Sequence, residues 1–394
     1  MKNTKVTAPS VWSIFIIFLK LGLTSFGGPV AHLGYFRHEF VEQRQWLSEK
    51  SYADLVALCQ FLPGPASSQV GIALGFFQGG YKGALAAWLG FTLPSALALM
   101  LFAIGVTQYG NILSADVLHG LKLAAVAIVA QAVWGMAKNL CTDRQKISIA
   151  ILSACVILLF PSVWMPLVVI FICGVIGFTM QTTKENQQDT PLTFPFTPPN
   201  GLFWLSLFVI LLLGLPFLAG IFPHTSFQLV DTFYRAGSLV FGGGHVVLPL
   251  LQAEITPNLL SHDLFLAGYG ATQAVPGPLF TFSAFLGTAI QGSLGGFIAL
   301  IAIFIPSFLL IFAALPFWQR LHQQRKTQSA LALINAAVVG ILLAALYQPV
   351  WTSAVNSAKD FVFVLIAFAA LMFWKMPPWL VVIACGLAGG LFLT

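Results

Sequence analysis

One motif, written twice, limits what this chain can fold into more than any other feature. Phe18-Leu19-Lys20-Leu21-Gly22 leads to Ser25-Phe26-Gly27-Gly28-Pro29, and Phe233-Tyr234-Arg235-Ala236-Gly237 leads to Val240-Phe241-Gly242-Gly243-Gly244. Lys20 therefore falls on Arg235. Glu39 follows Gly28 by the same interval at which Glu254 follows Gly243, and Gln60-Phe61-Leu62-Pro63-Gly64-Pro65 returns as Gln273-Ala274-Val275-Pro276-Gly277-Pro278. Gly79 and Gly83 are matched with Gly292 and Gly296, and Pro94-Ser95 with Pro306-Ser307. The chain is two copies of one unit.

Both copies are apolar. A soluble domain carries roughly a quarter charged residues, whereas here 8% are charged and 58% hydrophobic. The expected fold is an all-α polytopic membrane protein. Spanning hydrocarbon takes about twenty apolar residues in a helix, and such windows lie near 11–27, 54–80, 83–107, 117–138, 147–160 and 163–180. A polar, Pro-rich linker, 181–200, comes next, then an extra apolar run within 201–225. The second set lies near 226–243, 263–293, 295–317, 328–350, 359–374 and 377–393, which gives about thirteen transmembrane helices. An even number of crossings in 1–180 and one extra helix would turn 226–394 upside down, the inverted-repeat plan of many secondary transporters.

Loop charge agrees, since cytoplasmic loops favour Lys and Arg. With the N-terminus cytoplasmic, Lys2, Lys5, Lys82, Lys138, Arg144, Lys146, Lys184, Arg320, Arg325, Lys326 and Lys375 lie inside, against Arg37, Arg44, Lys50 and Lys359 outside. Treating only the Pro-Gly-Pro segments as re-entrant reverses that bias, so broken helices that still cross are the expectation. The net charge of +6 is absorbed by this rule, and no nucleic-acid partner is expected. No cleavable leader is expected either, because the first apolar run contains Lys20 and flows into the repeated motif.

Inside a bilayer a helix can be interrupted only where protein or a wet cavity satisfies the freed backbone. Matched breaks thus point to a site. They are Gly27, Gly28 and Pro29 with Gly242, Gly243 and Gly244, and Pro63, Gly64 and Pro65 with Pro276, Gly277 and Pro278. Proline suits the first turn of a helix, so Pro29, Pro65 and Pro278 are expected to open half-helices, whose N-termini attract anions. Lys20 and Arg235, each seven residues before its break, are expected to give the pathway a positive potential. Ser67, Ser68 and Gln69, and Thr281 and Ser283, could donate to oxyanion oxygens or bond back to their own backbone.

Glu39 and Glu254 are matched acids, either counter-ions or proton carriers, although Glu39 also fits a wet loop. His32 and His245 flank the first breaks as further coupling candidates. Asp54 and Asp263 open the helices leading to Pro-Gly-Pro, where N-capping explains them. Lys122 has no charged match, and its role stays open. The glycine pairs further on suit close helix packing. Cys59, Cys141, Cys155, Cys173 and Cys385 lack metal or disulfide spacing, so neither a metal site nor a cofactor is expected. No phosphate-binding loop, zinc-protease or nucleophile-elbow motif occurs. An enzyme is the weakest reading; transport driven by gradients remains, and the residues alone support an anion, with an oxyanion favoured.

The Phe26 to Pro29 motif, the stretch through Trp46-Leu47-Ser48, the Gln60 to Pro65 motif and their echoes at Phe241 and Gln273 resemble the chromate transporter family in its long two-domain form. The resemblance covers about residues 12–180 and 226–393. It implies a multi-pass protein of the bacterial inner membrane that exports chromate, a tetrahedral dianion similar to sulfate, by the proton-motive force and confers chromate resistance. It also implies that the Gly and Pro positions of the breaks are functionally sensitive. Gly244 departs from the pattern, standing where the first copy has Pro29, which makes the half-sites unequal. A sulfate or other oxyanion transporter and a passive anion channel are the alternatives. The partners expected are the oxyanion and the lipid bilayer, with a homodimer left open.

Overall fold

The computed structural model describes residues 9–108, 115–162, 164–179, 198, 200–222, 224–241, 244–256, 258–317 and 325–392. Most of the 181–200 linker lies outside them, as do Gly242 and Gly243. The described residues are helical, with no strand among them. In the first copy the helices are α1 (Val11–Thr24), α2 (Gly28–Arg37), α3 (Glu49–Phe61), α4 (Ala66–Gln108), α5 (Ala115–Leu140), α6 (Arg144–Leu159) and α7 (Met165–Thr179). The extra helix is α8 (Gly201–Ile221). The second copy contributes α9 (Thr225–Leu239), α10 (Val247–Ile255), α11 (His262–Thr272), α12 (Phe282–Ala314), α13 (Arg325–Ala345), α14 (Ala358–Met372) and α15 (Pro378–Phe392).

The broken helices fold back instead of continuing. Phe18 on α1 stacks on Phe40, just beyond α2, with ring centroids 5.0 Å apart; a straight helix would separate them by about 33 Å. In the second copy Arg235 on α9 reaches Glu254 on α10 at 2.8 Å, and Phe265 on α11 meets Phe282 at a centroid distance of 5.1 Å. Those pairs too would lie more than about 20 Å apart along a continuous helix. The single kinked crossings expected over 11–27 with its continuation, 54–80, 226–243 and 263–293 are therefore hairpins with their tips at the breaks. Apolar length, the signal behind those expectations, does not record direction.

A second reversal follows within α4. Gly79 (φ −143°, ψ 20°) and Gly80 (φ 59°, ψ −151°) interrupt it, and Gln291 (φ −135°, ψ 24°) with Gly292 (φ 68°, ψ −165°) interrupt α12 the same way. The second residue of each pair occupies backbone space reserved for glycine. The register of the repeat is thus Gly80 on Gly292, one residue from the sequence match of Gly79 with Gly292. Gly75 lies against the Gly83 carbonyl and Gly287 against that of Gly295, a contact a straight helix would prevent by about 12 Å of rise. Residues 66–78 and 282–290 are accordingly short return arms, and 81–108 and 293–314 are the long helices. A side chain at Gly83 or Gly295 would press on backbone that no rotamer change can move. Gly83→Val and Gly295→Val are expected to cost about 3 kcal/mol or more and to collapse the monodisperse peak in size-exclusion chromatography, while Gly105→Val, which has open space, leaves it intact.

The copies interlock. The long helices α4 and α12 pack together, α5 packs among α11, α14 and α15, and α13 packs between α6 and α7. Helix α8 covers α9 and α12 but is apolar all round, with Leu202, Phe203, Ile210, Leu213 and Phe217 all exposed. Among the described residues, five helical stretches are long and apolar enough to cross a bilayer: those at 66–108, 116–140, 201–221, 279–317 and 328–354. A helix with apolar residues on every side and so little burial belongs in lipid. This is a membrane protein.

Candidate functional site

The hairpin tips of the two copies exchange backbone bonds. Gly64 N–H donates to the Val240 carbonyl at 2.7 Å, and Gly277 N–H donates to that of Ser25 at 3.0 Å. Ser25 and Val240 are matched positions, as are Gly64 and Gly277, so each copy's Pro-Gly-Pro break is pinned to the other copy's first break. The supporting serines cross over too. A Cβ on Gly277 would meet Ser95 Oγ at 2.7 Å, and one on Gly64 would meet Ser307 Oγ at 3.2 Å. Gly64 and Gly277 have φ of 118° and 104°, which L side chains rarely adopt.

A narrow cavity of about 20 Å³ lies at this junction. Gly27, Gly28 and Pro29 line it from the first copy; Thr272, Gln273, Val275, Gly277 and Leu279 line it from the second, with His245 and Pro378 completing the wall. Gly244 belongs to the same junction, because a Cβ there would lie 3.4 Å from the Leu279 Cβ and 3.7 Å from Pro29 Cγ. Helix α2 starts at Gly28 after Gly27 (φ 101°) and has no side-chain cap; the turn of 3-10 helix at Leu279–Thr281, preceded by Pro278, has none either. Gly28 and Leu279, the first residues of these two ends, line the cavity, and the N-terminus of a helix favours an anion. Gln273 Nε2 is a buried donor without a hydrogen-bond partner. The volume suits one water molecule, so a tetrahedral anion enters only if the tips separate.

The other candidate residues divide. His32 is buried, its Nε2 3.1 Å from the Ser25 carbonyl and its Nδ1 3.4 Å from Ser67 Oγ. His245 Nδ1 lies 2.7 Å from the Tyr269 hydroxyl. Ser68 Oγ and Gln69 Oε1 are buried without partners, while Gln69 Nε2 donates to the Pro63 carbonyl at 2.7 Å. Thr281 and Ser283 spend their hydroxyls on the carbonyls of Pro278 and Phe280. Pro65 immediately precedes α4, and Pro276 sits beside Gly277 in the second tip.

Lys20 does not join this group. It is exposed on the outer face of α1, which ends at Thr24, so the two-turn spacing to Gly27 does not survive the break. Arg235 is nearly buried and held by Asp231 and Glu254, which removes the free positive potential expected of it. Glu39 lies in a π-helical turn, 8% exposed and 2.7 Å from Arg44, and so is not in a wet loop. At the nearby hairpin base, Arg37 joins Glu42 and Glu49, and the hydrogen bond from His38 holds the exposed Glu42 carboxyl below its ordinary range.

Ser48 and Ser261 cap α3 and α11, correcting the capping role given to Asp54 and Asp263. Asp263 instead accepts from Lys122 Nζ at 2.8 Å, which ties α5 of the first copy to the arm carrying Gln273. Lys122 is buried and Asp263 largely exposed. Asp263→Asn leaves a buried ammonium without its partner and is expected to cost about 2 kcal/mol; Lys122→Met leaves a hydrated carboxylate and costs under about 1 kcal/mol. Thermal unfolding of the two variants in detergent checks that order. Sequence reasoning passed over Gln273, although its place before Pro-Gly-Pro in both copies was a signal. Nothing in the sequence pointed to Thr272, Val275, Leu279 or Pro378.

Apolar helices turned outward, with hairpin tips meeting at a polar junction, define a polytopic membrane protein. The model of one family, described as chromate transporter, matches residues 12–178 and 227–390. This chain belongs to the chromate transporter family. It is 30% identical, over 87% of its length and 85% of the relative's, to an uncharacterized transporter of Methanocaldococcus jannaschii. It is 28% identical to a probable chromate transport protein of Synechococcus elongatus, covering 95% of this chain and 94% of that one. A chromate transport protein of Pseudomonas aeruginosa is 27% identical, over 96% and 91% of the two lengths. No solved structure matches the chain.

Proposed function

We propose that this protein exports chromate, or a closely similar tetrahedral oxyanion, across the bacterial inner membrane. The anion is held where the N-terminus of α2 faces the second copy's Pro-Gly-Pro tip, with Gly27, Gly28, Gln273 and the N–H groups after Pro278 as its donors. The observation that carries this reading is the paired exchange of Gly64 with Val240 and Gly277 with Ser25, which makes one junction out of both copies. The Pseudomonas and Synechococcus relatives supply the word chromate. A cavity with room for one water favours a carrier that opens in turn to each side over a continuous channel.

The hairpins also bear on orientation. If α1 to the return arm 66–78 enter and leave on the N-terminal side, and α6 and α7 bring the chain back to one side, α8 inverts the second copy. Among the described residues Arg37, Arg44, Lys50, Lys82, Lys138, Arg144, Lys146, Arg325, Lys326 and Lys375 then lie on the side of the N-terminus, and Lys359 opposite. That is a much stronger cytoplasmic bias than the thirteen-crossing plan gives. Expulsion of a dianion from a negative interior gains about 4.6 kcal/mol per 100 mV, twice the value for one charge, so the membrane potential suffices as a driving force.

Uptake of radiolabelled chromate into inside-out vesicles tests the reading. A lumen-positive potential is expected to drive uptake that unlabelled chromate blocks, with sulfate as the competing substrate to compare. Uptake no greater than in vesicles lacking the protein would overturn it.

A further inference from the structure

Arg235 carries two acids. Asp231, one turn earlier on α9, takes the guanidinium in a fork, with Nε 3.1 Å from both carboxylate oxygens and Nη2 2.7 Å from Oδ2. Glu254, arriving on α10, accepts one bond from Nη2 at 2.8 Å and another from the Thr232 hydroxyl. Trp164 covers the guanidinium at 5.5 Å. The side chains of Asp231, Arg235 and Glu254 are 8%, 13% and 17% exposed. Two carboxylates on one cation leave a surplus negative charge in an apolar hairpin, which burial disfavours. The forked pair has the stronger hold on the guanidinium, so the surplus resides on Glu254.

The first copy has no such buried surplus, since Glu39 is paired with Arg44 and the two acids on Arg37 are exposed. Among the described residues, no second cation pairs with Asp231 or Glu254. Helices α8 and α12 have no charged residue. His245 is bonded to Tyr269, Asp263 on α11 to Lys122, and His262 approaches Gln252. Helix α13 carries Arg325 and Lys326 in its first turn, and Lys326 lies over the Phe178 ring.

A second observation is a cavity lined by the residues just before Glu254. A cavity of about 540 Å³ is walled by Ser162 and Pro166 on either side of Trp164, and by Gln252 and Ala253 beside Glu254. Gln252 is 2% exposed, and its Oε1 has no hydrogen-bond partner within the protein. Gln252 thus lines the cavity through its other atoms, this oxygen being buried.

We propose that Glu254 is a proton site coupled to transport and filled through this cavity. In each cycle a hydronium ion gives its proton to the Glu254 carboxylate and is left as water, and the cluster passes from a net charge of minus one to zero until the proton is released to water again. This rests on the transport reading above. It separates Glu254 from a purely structural ion-pair partner, because such a partner would leave proton movement unchanged.

The test uses reconstituted vesicles with the potential clamped at zero, labelled chromate outside and a pH dye inside. The native protein is expected to move protons with chromate under a pH gradient. Glu254→Gln is expected to keep chromate exchange at equilibrium and to lose both gradient-driven accumulation and proton movement; Glu254→Asp restores them. A Glu254→Gln protein with the native proton-to-chromate ratio, or a native protein that moves chromate without protons, overturns the proposal. If the native protein moves no chromate at all, the transport reading fails, and Trp164 decides the proton site separately. Its emission, taken as native minus Trp164→Phe, is expected to titrate as one proton and to be flat in Glu254→Gln; a flat native curve overturns the site.

Discussion

Gly277→Ala is expected to lower chromate flux by about two orders of magnitude, equivalent to about 2.7 kcal/mol at the barrier, while the chain still reaches the membrane. Three costs meet at that residue. Its φ of 104° is a conformation that a side chain penalises by roughly 1–2 kcal/mol. The new Cβ would stand 2.7 Å from Ser95 Oγ and 3.3 Å from the Phe91 carbonyl. Relief would pull Gly277 N–H off the Ser25 carbonyl and shift the wall of the cavity. Gly64→Ala is the milder variant. Its nearest obstacle, 2.8 Å away, is the end of the Gln69 side chain, which can swing aside by giving up its bond to Pro63. Labelled-chromate uptake per unit of protein ranks the variants as Gly277→Ala below Gly64→Ala below native; Gly214→Ala, with open space around it, matches native. Uptake by Gly277→Ala equal to native would show that the tips do not need this geometry.

Arg235→Ala is expected to remove folded protein. Without the guanidinium, Asp231 and Glu254 are left buried and close together with no cation, and breaking a buried pair in this way costs roughly 3–5 kcal/mol. That is a large share of a typical stability margin. Neutralising the acids in the same background, with Asp231→Asn and Glu254→Gln, restores most of the loss, because the desolvated charges go with the cation. Thermal melting followed by fluorescence-detected size exclusion checks both halves of the prediction. Glu254→Gln alone leaves Arg235 with Asp231 as a neutral pair and stays folded. Lys20→Ala, on an exposed face of α1, stays near native, so two residues matched in sequence part company in consequence.

What the sequence revealed follows from what repetition records. Gly64 with Gly277 and Ser25 with Val240 could be paired on paper because both copies keep them, and those residues form the junction. Direction was not legible. Phe18 and Phe40 are equally apolar whether the chain goes on or turns back, and only their ring contact separates the cases. Arg37, Arg44 and Lys50, outside if the first helices cross, change sides in the orientation proposed above. Asp263 looked like a cap because it opens a helix, yet Ser261 performs that task and frees Asp263 for Lys122, a partner in the other copy that no local pattern announces. Glycine at position 79 looked like the counterpart of Gly292. The turn requires glycine only at its second residue, which is Gly80, and Gln291 fills the first.

Tungstate, a heavy tetrahedral dianion, gives the most direct measurement. Anomalous scattering from crystals of the native protein grown with tungstate is expected to place the metal between the two tips, within hydrogen-bonding reach of Gly28 and Gln273, with the gap wider than the 20 Å³ cavity of the closed form. A fully occupied tungstate bound elsewhere in the membrane region, with the Gly64 and Gly277 bonds undisturbed, would contradict the account.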